Sequence, residues 1–345
     1  MLLCVGGPPR SGTELMRQIL NRITSVHIAP ETHIFGDLLA RLNCGPHATL
    51  EGEELQKAIN YFRALEEVPY GQHEAFLSSG IGQTKFLEST DAPTVASLYE
   101  AYCRRSAYMA GLPSPIVWGD KTPRHVFAID FILEHFPNSR FLVMVRDPRA
   151  VVLSYRDWQN RWFEGKDLDT AQQTRISEEE LRARRSYHPI TIALLWRAAA
   201  RAGCAAAARY PDQVRLVRFE DIIHDPEKEV RAICHWLGLS FDEAALHVGH
   251  LNSSFVGRRD AAGFDRISLV RWQTGLNDSE KWMIERLAGP AFLELSFRPS
   301  ETSPSLIRII SMTASFVPAV VSAAWVNRGR RGNLLKFLKE RIRHL

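Results

Sequence analysis

The sequence has little cysteine and no paired arrangement of it. Its five thiols, Cys4, Cys44, Cys103, Cys204 and Cys234, are scattered through 345 residues without a C-x-x-C pair. That spacing offers no disulfide framework and no cysteine zinc site, and it suits reduced thiols in a cytosol-like compartment. No secretory leader is expected, because Met1-Leu2-Leu3-Cys4-Val5 runs into Gly6-Gly7-Pro8-Pro9 before a signal-peptide apolar core can form. No repeat and no long low-complexity tract precede the C-terminus, which excludes solenoid and disordered classes. A broad excess of one charge is also lacking. The net charge is +4, but residues 327–345 carry seven Lys or Arg against one Glu, so the rest of the chain is slightly acidic. A nucleic-acid-binding body is therefore not expected.

What remains is an ordinary folded chain, 45% hydrophobic and 24% charged. Leu2-Leu3-Cys4-Val5 is a short apolar run ending in glycines, the pattern of a buried parallel strand, and Leu15, Met16, Ile19 and Leu20 then recur at helical spacing. Phe141–Val145 followed by Arg146-Asp147-Pro148-Arg149 repeats the strand-to-helix unit, with Asp147 suited to the N-cap and Pro148 to the first helical position. A third strand is expected at Val214–Phe219, a helix from Asp225-Pro226 to Leu237 with Gly238 as its C-cap, and a long helix over Ile190–Arg209. Alternating strands and helices imply an α/β fold, a parallel sheet with helices on both faces. Residues 45–115 read as a helical insertion able to shape an acceptor pocket, and 160–188 as a charge-dense face or loop. The boundary is expected near residue 300, with 301–345 forming an apolar and then basic tail.

Gly7-Pro8-Pro9-Arg10-Ser11-Gly12-Thr13 lies between a strand and a helix, where backbone N–H groups and the helix N-terminus favour a phosphate. The Walker A spacing is met at Gly7 and Gly12, but Thr13 stands at the lysine position and Glu14 at the Ser/Thr position that holds magnesium. Two of the main parts of Mg-ATP chemistry are thus missing. At the second strand–helix junction, Arg146 stands at a strand's carboxyl end, with Ser154 eight residues on. A guanidinium and a hydroxyl so placed can hold a terminal phosphate, although Arg146 alone is also a natural ion-pair partner for Asp147 or Asp120.

These blocks resemble the sulfotransferases that use 3′-phosphoadenosine 5′-phosphosulfate (PAPS). Pro9-Arg10-Ser11-Gly12-Thr13 resembles their 5′-phosphosulfate loop, and Arg146 to Tyr155 their 3′-phosphate segment. Lys121-Thr122-Pro123 and Arg218-Phe219-Glu220-Asp221 through Trp236-Leu237-Gly238-Leu239 are similar as well, in the family's order over about residues 1–297. The resemblance implies a P-loop-like sulfotransferase topology, PAPS as co-substrate, and no required metal. It implies nucleotide contacts from Arg10, Ser11, Gly12, Thr13, Glu14, Arg146 and Ser154, and from Arg271, next to Trp272. Glu14 departs from the family's usual threonine, and a carboxylate there repels phosphate unless it turns away along the helix.

Transfer of a sulfuryl group needs positioning and stabilisation of charge on the leaving oxygen. Arg10 and Lys121 are the candidate cations; Lys121 resembles the lysine that the tyrosylprotein branch aims at the bridging oxygen, with a surface pair to Asp120 as its alternative. Glu31, in Pro30-Glu31-Thr32-His33, resembles that branch's general base, and His33 stands where the branch has an arginine and can itself serve as base. Glu31 as a helix-start carboxylate is the plainer alternative. The expected acceptor is a hydroxyl on a glycan, glycolipid or small molecule, with a peptide tyrosine less compatible with the expected compartment. The alternatives are a P-loop nucleotide kinase or NTPase and a non-catalytic, membrane-associated nucleotide-binding scaffold. Ile309–Val326 has 18 uncharged residues before the basic end, which suggests peripheral contact with the inner face of a membrane or packing on the domain; a homodimer is compatible with either.

Overall fold

The computed structural model describes residues 1–42, 44–67, 92–159, 184–249 and 264–326. The centre of the helical insertion, most of the charge-dense stretch and the basic end of the tail lie outside the described residues. Five short strands form the core: β1 (Leu3–Gly6), β2 (Val26–Ala29), β3 (Val117–Asp120), β4 (Arg140–Val145) and β5 (Val214–Arg218). All pair in parallel, β4 between β1 and β5, and β2 against β3. Parallel bridges from Leu2 to Trp118 and from Val5 to Lys121 place β3 beside β1. The spatial order is therefore β2-β3-β1-β4-β5, and all five carboxyl ends share one edge.

Period-two alternation divides the core in two. Cys4, Phe141, Val143 and Val145 point into one apolar cluster, and Leu3, Val5, Leu142 and Met144 into another. The first face is covered by α2 (Gly52–Glu67), α3 (Val95–Met109), α4 (Ile129–His135), α5 (Pro148–Gln159) and α6 (Pro189–Arg209). The second is covered by α1 (Thr13–Leu20), α7 (Phe219–His224) and α8 (Pro226–Leu237). The helices on both faces are those the alternating pattern predicts. After α8 come α9 (Ile267–Gly275), α10 (Asp278–Ala288) and α11 (Leu306–Val326).

Local chemistry fixes the helix ends that carry the site. At the start of α5 the Asp147 carboxylate accepts the Arg149 backbone N–H at 2.8 Å, and Pro148 occupies the first turn without leaving a donor idle. Asp225 caps α8 through the Lys228 N–H, and Gly238 ends it in the left-handed conformation at φ 73°. Beta strands β2 and β3 are additions to the sequence reading, and they change one local expectation. Pro30 to His33 follows β2 directly. Glu31 is not a helix cap: the turn beginning at Ile34 is π-helical, with His33 at φ 53° before it and no side-chain cap.

Candidate active site

Four strand ends converge here. After β1, residues Gly7 to Gly12 turn sharply into α1. Gly7 has φ 133°, and a Cβ on it would lie 2.1 Å from the Met144 carbonyl oxygen. Gly12, at φ 89°, lies against the Phe219 ring, which a Cβ would meet at 2.4 Å. Arg10 also has positive φ, 67°, a strained setting for a side chain that is paired with function at such turns.

The loop touches the β4–α5 junction directly. Arg10 Nε donates to Ser154 Oγ at 3.3 Å, and Arg146 Nη1 donates to the Arg10 carbonyl at 3.3 Å. Arg146 Nη2 donates to the Ser268 carbonyl at 2.7 Å, and its guanidinium lies 4.3 Å above the Phe219 ring. Trp196 from α6 holds the junction from beneath by donating to the Arg146 carbonyl at 2.8 Å. The two alternatives for Arg146 do not occur: Asp147 is taken by Arg149 at 2.6 Å, and Asp120 lies within a separate buried network. Burial pulls the Arg146 pKa down to about 10, opposed by Glu220 and Asp147 and assisted by the nearby charges of Arg10 and Arg271. Three guanidinium groups thus crowd one edge of the sheet. Three buried polar atoms there, Ser11 Oγ, Arg146 Nε and Glu220 Oε2, have no hydrogen-bond partner.

Beside the loop, at the ends of β2 and β3, Lys121 Nζ donates to Glu31 Oε1 at 2.6 Å and lies 3.3 Å from Glu14 Oε2. Glu31 Oε2 is 2.9 Å from His33 Nε2. Burial would raise the Glu31 pKa, but the Lys121 charge and the His33 contact hold it well below the usual carboxylate range. His33, 4% exposed, is pushed down by burial despite Glu31, so its imidazole is neutral at neutral pH. Glu14 turns along α1 to a two-pronged pair with Arg17, as close as 2.6 Å. Those partners and Lys121 outweigh burial and keep Glu14 ionised. Thr13 is buried at the first position of α1.

The structure brings Arg10, Ser11, Gly12, Arg146 and Ser154 to one place, and Glu14, Glu31, His33 and Lys121 to another immediately beside it. Arg271 on α9 is ion-paired to Asp157 of α5 at 2.7 Å and influences Arg146 from there. Sequence reasoning missed the support beneath Lys121. Asp120, fully buried, accepts from Tyr99 at 2.6 Å, from Thr32 Oγ1 at 2.8 Å and from Thr122 Oγ1. Its pKa falls to about 2, because His125 and the hydroxyl donors overcome the burial that would raise it. The Thr32 and Thr122 hydroxyls flank Glu31 and Lys121 in sequence, so this carboxylate ties the β2 end to the β3 end. Tyr99, far away in the chain, gave no local signal.

Several known proteins are similar to this chain. The family model described as "Sulfotransferase family" matches residues 3–243. The protein-tyrosine sulfotransferase of Drosophila melanogaster is 25% identical over 71% of this chain, which spans 40% of the fly protein's length. The nodulation protein NoeE of Sinorhizobium fredii is 23% identical over 85% of this chain and 65% of its own. Among solved structures, the sulfotransferase domain from the curacin biosynthetic pathway aligns with 87% of this chain and 98% of its own, at 18% identity and a TM-score of 0.50, a likeness of fold.

Proposed function

This chain belongs to the Sulfotransferase family, and on that premise we propose that it transfers the sulfuryl group of PAPS to an acceptor hydroxyl. The observation that carries the reading is the direct contact of the two anion cradles. Arg10 reaches Ser154, and Arg146 holds the Arg10 carbonyl, so a single nucleotide phosphorylated at both ends can meet both. The unpartnered Ser11 hydroxyl and Arg146 Nε are the donors such anions would satisfy. The loop amides, Ser11, Gly12 and Thr13 would take the 5′ end, and Arg146, Ser154 and Arg271 the 3′-phosphate.

PAPS supplies the sulfuryl group, and the protein supplies charge and a base. Glu31 accepts the acceptor's hydroxyl proton as the new O–S bond forms. The S–O bond to the 5′-phosphate breaks, its electron pair leaves with the bisphosphate, and Lys121 and Arg10 stabilise that oxygen. Lys121 has a second part. While it pairs with Glu31 it depresses that group's basicity; as it turns to the leaving oxygen, Glu31 loses its cation and becomes a stronger base. His33 stays neutral and orients the Glu31 carboxylate.

An ATP-dependent reading predicts magnesium and a P-loop lysine, and Thr13 and Glu14 provide neither part. Calorimetric titration separates the two. Adenosine 3′,5′-bisphosphate binds without metal, ATP with magnesium does not, and labelled PAPS yields a sulfated hydroxyl product. Binding of Mg-ATP in preference to the bisphosphate overturns the assignment.

A further inference from the structure

Among the described residues, two helices are long and apolar enough to cross a membrane, α6 with a mean hydropathy of 1.2 and α11 with 1.8. They differ in burial: α6 is a core helix of the domain, whereas no residue of α11 is fully buried. Helix α11 is apolar on both sides. Ile309, Met312, Phe316, Val320 and Ala323 form the half-buried side. Ile307, Ile310, Val317 and Val321 form a second stripe, 59–80% exposed, and Trp325 is 65% exposed near the end. Arg308 is the helix's only charge.

We propose that this second stripe docks into the surface of an anionic lipid bilayer, with α11 lying in the membrane plane. Two observations choose that occupant. The first is charge: the 19 residues after α11 carry seven Lys or Arg and one Glu, a cluster that complements anionic headgroups. A second copy meeting the same stripe in parallel would bring a second cationic tail against the first. The second observation is the attachment of α11 at its middle. Ser315 Oγ is 3.2 Å from His188 Nε2 at the start of α6, and Phe316 packs on the His188 ring at 5.6 Å. A spanning helix must clear the globular body along the whole ~30 Å apolar layer, and a helix of about that length held at its midpoint does not. An in-plane helix keeps both contacts, one apolar side on the domain and the other in the acyl boundary. Trp325 then stands where indoles favour the interface.

The test is co-sedimentation of the full chain with vesicles of phosphatidylcholine and phosphatidylglycerol, against phosphatidylcholine alone, at low and high salt. Wild type sediments with the anionic vesicles, less so at high salt. The triple variant Ile310→Glu, Val317→Glu and Val321→Glu lowers the bound fraction at least about fivefold while bisphosphate binding is retained. Quenching by brominated lipid gives a second readout that needs no charged substitution: it is present in wild type and reduced in Trp325→Phe. No sedimentation of wild type, equal sedimentation of the triple variant, or a dimer that the triple variant dissociates without change in vesicle binding each overturns the proposal.

Discussion

Lys121 sits between two carboxylates, 2.6 Å from Glu31 and 3.3 Å from Glu14, and its replacement has different consequences on each side. Lys121→Ala removes charge stabilisation from the leaving oxygen and lowers kcat by about 10²–10³-fold. Its affinity for adenosine 3′,5′-bisphosphate stays within about threefold, because the cradle residues are untouched. Glu31, freed of its cation, shifts upward in pKa, so the acid limb of the residual activity moves to higher pH. Glu31→Gln lowers kcat by about 10²–10⁴-fold and leaves bisphosphate binding in place. Single-turnover rates beside calorimetry check both, and unchanged turnover in either variant removes its assignment.

Glu14 is the second residue of α1, just past the β1–α1 turn. Its carboxylate lies beside the β1–α1 loop and is kept ionised by Arg17 and Lys121 despite burial. Glu14→Gln removes a negative charge next to the proposed anion site, so the bisphosphate is expected to bind roughly threefold to tenfold more tightly, with the gain shrinking at high salt. Calorimetry at two ionic strengths reads this directly. An affinity that falls instead would mean that Glu14 matters chiefly by anchoring Lys121 and Arg17.

At the scale of elements, the legible parts were those whose burial is written in consecutive apolar residues or in end signals. Beta strands β1 and β4 are such runs, β5 is apolar at three of its five positions, and Asp147-Pro148, Asp225-Pro226 and Gly238 mark helix ends by their own backbone chemistry. Beta strands β2 and β3 were not legible. Val26–Ala29 and Val117–Asp120 are four residues each, interrupted by His27 or by Gly119-Asp120, too short to show a period. What holds them is tertiary: His27 is bonded to Ser106 at 2.9 Å, and Asp120 to Tyr99. The site inherits the same division. The loop and the Arg146–Ser154 pair are local motifs, whereas the Glu31–Lys121 contact needs two strands that only the fold brings together. The loop itself carries the sharpest element-level expectation. Gly7→Ala adds a Cβ 2.1 Å from the Met144 carbonyl at φ 133°, so β1 and β4 must separate there. A loss of about 2 kcal/mol or more is expected, with bisphosphate binding lost before global folding. Denaturant melts with and without ligand check it.

For the whole molecule, acid stability depends on the buried carboxylate that ties the ends of β2 and β3 to helix α3. Asp120 links β3 to the β2 end through Thr32 and to α3 through Tyr99. Its pKa is about 2 in the fold, against 3.8 ordinarily. The folded form therefore binds this proton less tightly than the unfolded chain. The resulting stability, about 2 kcal/mol, is complete above the ordinary value and is lost as pH falls from about 4 towards about 2. His33 acts in the same direction at higher pH: its lowered pKa means that stability falls as pH drops below 6.5 and the unfolded imidazole takes up its proton first. Glu220 acts oppositely, since burial raises its pKa and the fold takes up that proton more readily than the unfolded chain. Asp120→Asn tests the balance. It replaces one of the two oxygens that together accept from three hydroxyls with an amide donor, so the variant is less stable at neutral pH by about 2 kcal/mol, and its stability falls less steeply than wild type on acidification. Paired urea melts of the two proteins from neutral pH down to about pH 3 read both effects; parallel acid limbs would place the acid sensitivity in other carboxylates.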